Sequence, residues 1–250
     1  MIVLAQAVNE EKYVNRVLDH IINEPFCERF ILIDGGSTDY TREAVLEYEK
    51  TEVYVHPWLD WYHDQNIIQR NIGFSYIPHG ETAVFIDFDE CFSHELITWL
   101  NNYHAGKYSK ITDTVSFSRR TFNLLRHEDS TFAVIEDGWP VPLEQIGQYP
   151  DYQLRMIVKK PGMHFINSPH HVLFGVNEGL FTNSCVDCDI LHYDGKDDSR
   201  DRANIEKKWA RAQARRKELG LLPDVFECQL KPEFKKYGSI GAWRTNPNGR

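Results

Sequence analysis

The chain opens on IVLAQAV, an apolar run of strand length, and the period changes at the polar residues behind it. Asn9 offers a helix cap, and Glu10 and Glu11 stand in a first turn where the helix dipole favours acids. Val14, Leu18, Ile21 and Ile22 then form the i, i+4, i+7, i+8 stripe of a core-facing helix that ends before Pro25. The rhythm repeats. FILID predicts a second buried strand, GGSTD a turn, and TREAVLEYEK a second helix with Ala44, Val45 and Tyr48 on one side. EVYVH predicts a third strand, NIIQRNIGFSYI a third helix closed by Pro78 and Gly80, and AVFID a fourth strand. Strands alternating with helices predict an α/β fold, Rossmann-like, with a mostly parallel central sheet covered by helices on both faces.

Beyond residue 105 the alternation gives way. TVSFSRRTF, QLRMIVKK and CDILHY predict strands of a mixed region, and EDGWPVPLEQIGQYPD, residues 136–151, reads as an irregular segment. A long loop beside a binding edge is more often functional than decorative. SRDRANIEKKWARAQARRKELG, residues 199–220, predicts a basic helix ending in glycine, whose charged face is most simply solvated.

A chain of 250 residues can bury a sizeable core. Its formal charge of −9, from 28 basic and 37 acidic side chains, argues against a nucleic-acid binder, which would carry a basic stripe. It leaves room for a nucleotide whose phosphates are held through a bridging cation. Cys27, Cys91, Cys185, Cys188 and Cys228 are odd in number and scattered, so reduced thiols in a cytoplasmic protein are expected rather than a disulfide framework. The apolar start lacks the basic flank and the length of a signal peptide, and no run approaches the ~18 apolar residues of a membrane span.

Two predicted parallel strands end in acids, Asp34 after FILI and Asp87 after AVFI. Ligands of parallel sheets bind at the carboxyl ends of the strands, so both acids belong to one edge. Asp89 stands two positions after Asp87, with Phe88 between them and Glu90 directly behind. Acids ending an apolar run are costly to bury unless a positive group meets them. Placed at such an edge, one of the two can bind a hard cation while the other reaches a hydroxyl.

ILIDGGSTD, QRNIG (residues 69–73) and FIDFDE (residues 85–90) resemble, in order, motifs of glycosyltransferase family 2. YPDYQLRMIVKKPG and SPHHVL are similar to the acceptor-side segments of its lipopolysaccharide-core-type members. The resemblance implies a GT-A fold, a nucleoside-diphosphate sugar donor with a UDP-sugar as first guess, Mn2+ or Mg2+, and a glycan or glycolipid acceptor. It assigns Ala5, Asn9, Asp34, Arg70 and Asp87 to the nucleotide, with Asp34 on the base and Asp87 near the ribose or metal. Asp89 becomes the metal ligand and His170 completes its shell, with His171 and His192 as rivals. Asp151 becomes the general base of an inverting transfer, with Glu136 and Asp137 as rivals. Trp139 reads as a stacking platform or a loop anchor, and Arg155 as a strand arginine unless the cleft lies over it. Residues 1–105 form the nucleotide-sugar half, 106–195 the acceptor half of the same domain, and 196–250 a helical tail that can approach an anionic membrane. Two positions depart from the family pattern: Gly35 stands where a second acid is common, and His171 replaces a glutamate. A haloacid-dehalogenase-like phosphatase and a non-catalytic sugar-nucleotide-binding protein are the competing readings.

Overall fold

Period-two alternation along buried strands sorts the core into two layers. The computed structural model describes residues 1–58, 65–108, 113–123, 145–166, 172–174 and 183–194. Strand β1 (Ile2–Ala7) sends Val3, Ala5 and Ala7 to one face and Ile2 and Leu4 to the other. Strand β2 (Arg29–Asp34) likewise sends Phe30 and Leu32 to the first face and Ile31 and Ile33 to the second. The first face is covered by α1 (Glu11–Ile21) through Val14, Val17, Leu18 and Ile21, by α2 (Thr41–Leu46) through Val45, and by α4 (His94–His104) through Leu96, Ile97 and Leu100. On the second face lie Ile67 and Phe74 of α3 (Gln65–Ser75), together with Phe165 and Leu173 from a small antiparallel pair, β8 (His164–Ile166) and β9 (Val172–Phe174).

Among the described residues the main sheet has eight strands in the order β3-β2-β1-β4-β7-β6-β10-β5. The remaining members are β3 (Thr51–Val55), β4 (Thr82–Phe85), β5 (Glu90–Phe92), β6 (Thr114–Asn123), β7 (Gln145–Val158) and β10 (Asn183–Asp194). From β3 to β4 all pairings are parallel. Beyond β4 the sheet is mixed: β7 runs antiparallel to both β4 and β6, β10 parallel to β6, and β5 antiparallel to β10. The α/β expectation holds, with parallel strands behind the carboxyl edge and a mixed extension beside it.

Local chemistry explains where the elements depart from expectation. Asn9 does not cap α1; it has a φ of 59°, and its side-chain oxygen instead accepts from the Thr38 amide at 2.8 Å. The first amides of α1 are served across the chain, Glu10 N by the Thr41 hydroxyl at 2.8 Å and Glu11 N by Asp39 at 3.2 Å. Helix α2 stops at Leu46 rather than running through Lys50, because the Thr51 hydroxyl donates to the Val45 and Tyr48 carbonyls and turns the chain into β3. Strand β7 begins at Gln145, inside the segment expected to be irregular. Pro150 is tolerated there because the β6–β7 register breaks between the Asp151–Arg119 and Ile146–Thr121 pairs, so its missing N–H costs no ladder bond. Helix α4 and strand β5 had no counterpart in the sequence reading; Ser93 caps α4, accepting from Leu96 N at 3.2 Å. The predicted basic helix and residues Glu136, Asp137 and Trp139 lie outside the described residues.

Candidate active site

Helix α3 sits close on the sheet because Gly73 has no side chain: a Cβ there would fall 2.6 Å from Leu4 Cδ1 and 2.8 Å from Ile33 Cγ1. That approach brings Gln69 and Arg70, one turn earlier, to the carboxyl ends of β1 and β4. A cleft there is lined by Ala5, Gln6, Gln69, Arg70, Phe85 and Asp87, among others. Three residues assigned to the nucleotide, Ala5, Arg70 and Asp87, thus share one cleft. Gln6 and Gln69 were not singled out in the sequence, although a glutamine interrupting the apolar run of β1 was the available signal. Both carry a buried side-chain oxygen without a hydrogen-bond partner. Such a group costs about 1–3 kcal/mol unless something satisfies it, which suits a ligand-receiving wall.

Asp87 lies just past β4 and is gripped from two sides. Arg155 Nη2 donates to its Oδ2 at 2.9 Å, and Arg70 Nη2 lies 3.5 Å from Oδ1. Arg155 also donates to both oxygens of buried Glu90, at 2.5 and 3.2 Å. Burial pushes the Glu90 carboxyl up, against the pull of Arg155. Burial alone would lower the Arg155 guanidinium, but the charges of Glu90 and Asp87 outweigh it and push it up. Arg70 is brought down by burial to about 10, still a cation at neutral pH. A carboxylate held this way is poorly placed to act as a phosphatase nucleophile.

Asp89 faces a different neighbour. Its Oδ2 lies 3.4 Å from His192 Nε2, and the other ring nitrogen of His192 is 3.3 Å from the Thr121 hydroxyl. His192 sits opposite Glu90 in the β10–β5 register, which fixes its place beside the acidic turn. The carboxylate oxygen suits Mn2+ or Mg2+, and the imidazole nitrogen, its ring steadied through the second nitrogen, suits the softer Mn2+ better than Mg2+. No group of three or more such side chains converges among the described residues. An ion held there would therefore complete its shell with diphosphate oxygens and water, as magnesium commonly does. The pair fits a nucleotide-bridging cation. His170 and His171 lie outside the described residues.

Asp34 is fully buried and caps its own turn, its oxygens accepting from Gly36 N at 3.1 Å and from Ser37 N at 3.1 and 3.2 Å. Next to it, Gly35 is overlaid by Trp58: an added Cβ would fall 2.3 Å from the indole and 2.4 Å from a Val8 methyl. That contact explains the missing second acid of the motif. Asp151 lies within β7, opposite Arg119, whose Nε and Nη2 donate to its Oδ2 at 3.1 and 2.7 Å; Gln153 donates to Oδ1 at 2.9 Å. Asp151 and Arg155 stand four residues apart on one strand, roughly 13 Å by strand rise.

The Glycosyl transferase family 2 model matches residues 3–173, more than half of the chain, and the chain belongs to that family. Its α/β fold, parallel from β3 to β4 and mixed beyond, is in keeping with the GT-A fold that the motifs implied. Solved structures similar to it include TarS residues 1–349 from S. aureus, at 20% identity and a TM-score of 0.40 over 48% of this chain and 35% of that one. A mannosyltransferase from Pyrobaculum calidifontis, in complex with GDP-Man and Mn2+, aligns at 19% identity and a TM-score of 0.39 over 48% and 35%. Glucosyl-3-phosphoglycerate synthase from Mycobacterium tuberculosis, in complex with Mn2+ and UDP-glucose, aligns at 22% identity and a TM-score of 0.34 over 48% and 43%. The aligned part thus spans 35% to 43% of the length of these proteins. A comparison with curated proteins finds no match. No helix among the described residues is long and apolar enough to cross a membrane.

Proposed function

We propose that this protein is a metal-dependent glycosyltransferase that moves a sugar from a nucleoside-diphosphate sugar to a hydroxyl of a glycan or glycolipid. The observation that carries this reading is the meeting of Asp89 with His192 at 3.4 Å, beside the cleft lined by Ala5, Arg70 and Asp87. A bound Mn2+ or Mg2+ would supply neutralisation of the charge that grows on the diphosphate as the sugar leaves. Asp89 and His192 are the protein ligands in this reading, with His170 or His171 as alternatives to the latter. Ala5, Arg70 and Asp87 receive the nucleoside, and Asn9 and Asp34 hold the two loops at its rim. A UDP-sugar is the first donor to try.

Asp151 is the proposed base, taking the proton of the acceptor hydroxyl as that oxygen attacks, and a single base on the acceptor side suits displacement with inversion. The bonds from Arg119 and Gln153 aim this carboxylate, and an acceptor hydroxyl has to replace one of them. In this reading residues 1–105 serve the donor, residues 106–195 the acceptor, and residues 196–250 form a tail. A cytoplasmic protein with peripheral membrane contact through the basic segment, acting on a lipid-linked or surface glycan, completes the proposal.

The test is a thermal-shift titration with a panel of nucleoside diphosphates, with and without Mn2+, on wild type and Asp89→Ala. A ligand that binds only the native state raises the melting point by mass action. Stabilisation by one diphosphate that needs Mn2+ and disappears in the variant is expected. No response to any nucleotide from folded protein would sink the proposal.

A further inference from the structure

The Arg155 guanidinium stands where a cation would stand. In the β6–β7 ladder Met156 pairs with Val115 and Leu154 with Ser116, so Arg155 is the extra residue of a β-bulge. Bulges next to functional sites commonly re-aim a side chain. Here the bulge turns a buried arginine into the acidic turn after β4. Its Nη2 reaches Asp87 Oδ2 at 2.9 Å and Glu90 Oε1 at 2.5 Å, and its Nε reaches Glu90 Oε2 at 3.2 Å. Glu90 Oε2 also accepts from Asp87 N at 3.2 Å, and Arg70 stands by Asp87 Oδ1. Two guanidinium groups therefore face two carboxylates, and every oxygen of the pair has a partner. Among the described residues the ion-pair partner of Asp89 is a histidine, not an arginine.

We propose that Arg155 is a positioning residue that works as an internal counter-ion. By neutralising Asp87 and Glu90 it withholds both carboxylates from the divalent cation, which is left to Asp89 and His192 and is held firmly only when a diphosphate arrives with it. This rests on the metal reading above. A cation at Asp87 would have to displace a guanidinium already held by three hydrogen bonds, or lie against its like charge. At Asp89 it meets no such obstacle, but two protein donors fall short of the about six ligands that Mg2+ or Mn2+ prefers. Diphosphate oxygens make up the difference, so the ion and the donor bind as a unit.

The experiment measures Mn2+ binding through the loss of the free-ion electron paramagnetic resonance signal. Wild type, Arg155→Lys, Arg155→Met and the double variant Arg155→Met with Glu90→Gln are each titrated with Mn2+ alone, then with Mn2+ plus UDP and with Mn2+ plus GDP. Wild type is expected to bind Mn2+ at least about 10-fold more tightly with the effective diphosphate than without it. Arg155→Met releases Asp87 and Glu90 as donors, so Mn2+ alone binds about 10-fold more tightly and depends less on the diphosphate. Arg155→Lys keeps the positive charge and behaves as wild type. The double variant leaves no buried Glu90 carboxylate without its partner and still frees Asp87 Oδ2, so it keeps the tightening if the single variant does not fold. A merely structural arginine would lower stability without tightening Mn2+ binding. Folded variants lacking Arg155 that bind Mn2+ alone no better than wild type overturn the counter-ion. Wild type that takes up no Mn2+ with either diphosphate overturns the metal reading beneath it, and the proposal with it.

Discussion

Gly35 and Asp34 are neighbours whose side chains, or lack of one, serve the packing of the β2–α2 turn. The Trp58 indole lies over Gly35, with no room for a Cβ. Gly35→Asp, which would restore the second acid common in the family motif, is expected to destabilise the protein by about 1–3 kcal/mol, the usual cost of overpacking. Adding Trp58→Ala should recover only part of that loss, because the Val8 methyl still lies 2.4 Å from the new Cβ; denaturant midpoints of the single and double variants decide it, and equal stability of Gly35→Asp and wild type would refute the contact. Asp34→Ala strips partners from the Gly36 and Ser37 amides. It should cost about 1–3 kcal/mol in the absence of any nucleotide. Unchanged stability combined with lost nucleotide binding would instead return Asp34 to direct contact with the base.

Helix α3 is the element that carries Arg70 to the cleft, and its fit depends on one residue. In a solvent-facing helix Gly→Ala gains about 1 kcal/mol from propensity. At Gly73 the new methyl would press within 3 Å of Leu4 and Ile33, so Gly73→Ala is expected to reverse that sign and cost about 1–3 kcal/mol. Because the helix must lift off the sheet, nucleotide affinity should fall as well; a more stable variant with normal affinity would show that α3 does not need this close approach. Elements of this kind were legible in the sequence wherever period and punctuation agreed. The stripe of α1, the buried run of β2 and the Pro78 stop after α3 are all present in the structure. Strand β5 was not legible, since three residues carry no period and its partner β10 lies about a hundred residues further on. The site divides in the same way. Acids at strand ends announce themselves locally, so Asp34, Asp87 and Asp89 could be named. The grip of Arg155 on Asp87 and Glu90 spans 65 to 68 residues of chain and depends on a bulge, which no local pattern encodes. His192 was read only as one of three candidates, and the cross-strand register with Glu90 is what sets it beside Asp89.

At the scale of the molecule, chain order and sheet order disagree in an informative way. Strand β5 belongs to the first 105 residues, yet it forms the far edge of the sheet against β10, beyond the strands of the second half. The chain between β4 and β5 therefore links two distant places in the sheet, and it meets Arg155 of β7 through Asp87 and His192 of β10 through Asp89. The strands of residues 1–105 and those of residues 106–195 share one continuous hydrogen-bonded sheet through the β4–β7 ladder, and a single buried layer joins Val84 to Val115, Phe117 and Met156. Such a sheet should unfold as one unit. Two buried thiols can report on its opposite ends: Cys27 lies just before β2, and Cys91 lies in β5. Burial pushes both up to about 11, so neither reacts readily in the native state, where the thiolate is scarce. Pulsed alkylation across a urea gradient, read by peptide mass, should give the same midpoint for Cys27 and Cys91. Adding the effective diphosphate with Mn2+ should move both midpoints upward together, because a ligand of the native state protects whatever unfolds with its site. A midpoint for Cys91 clearly below that of Cys27 would mean that the far edge opens on its own, and with it the strand pair that holds His192 against the acidic turn.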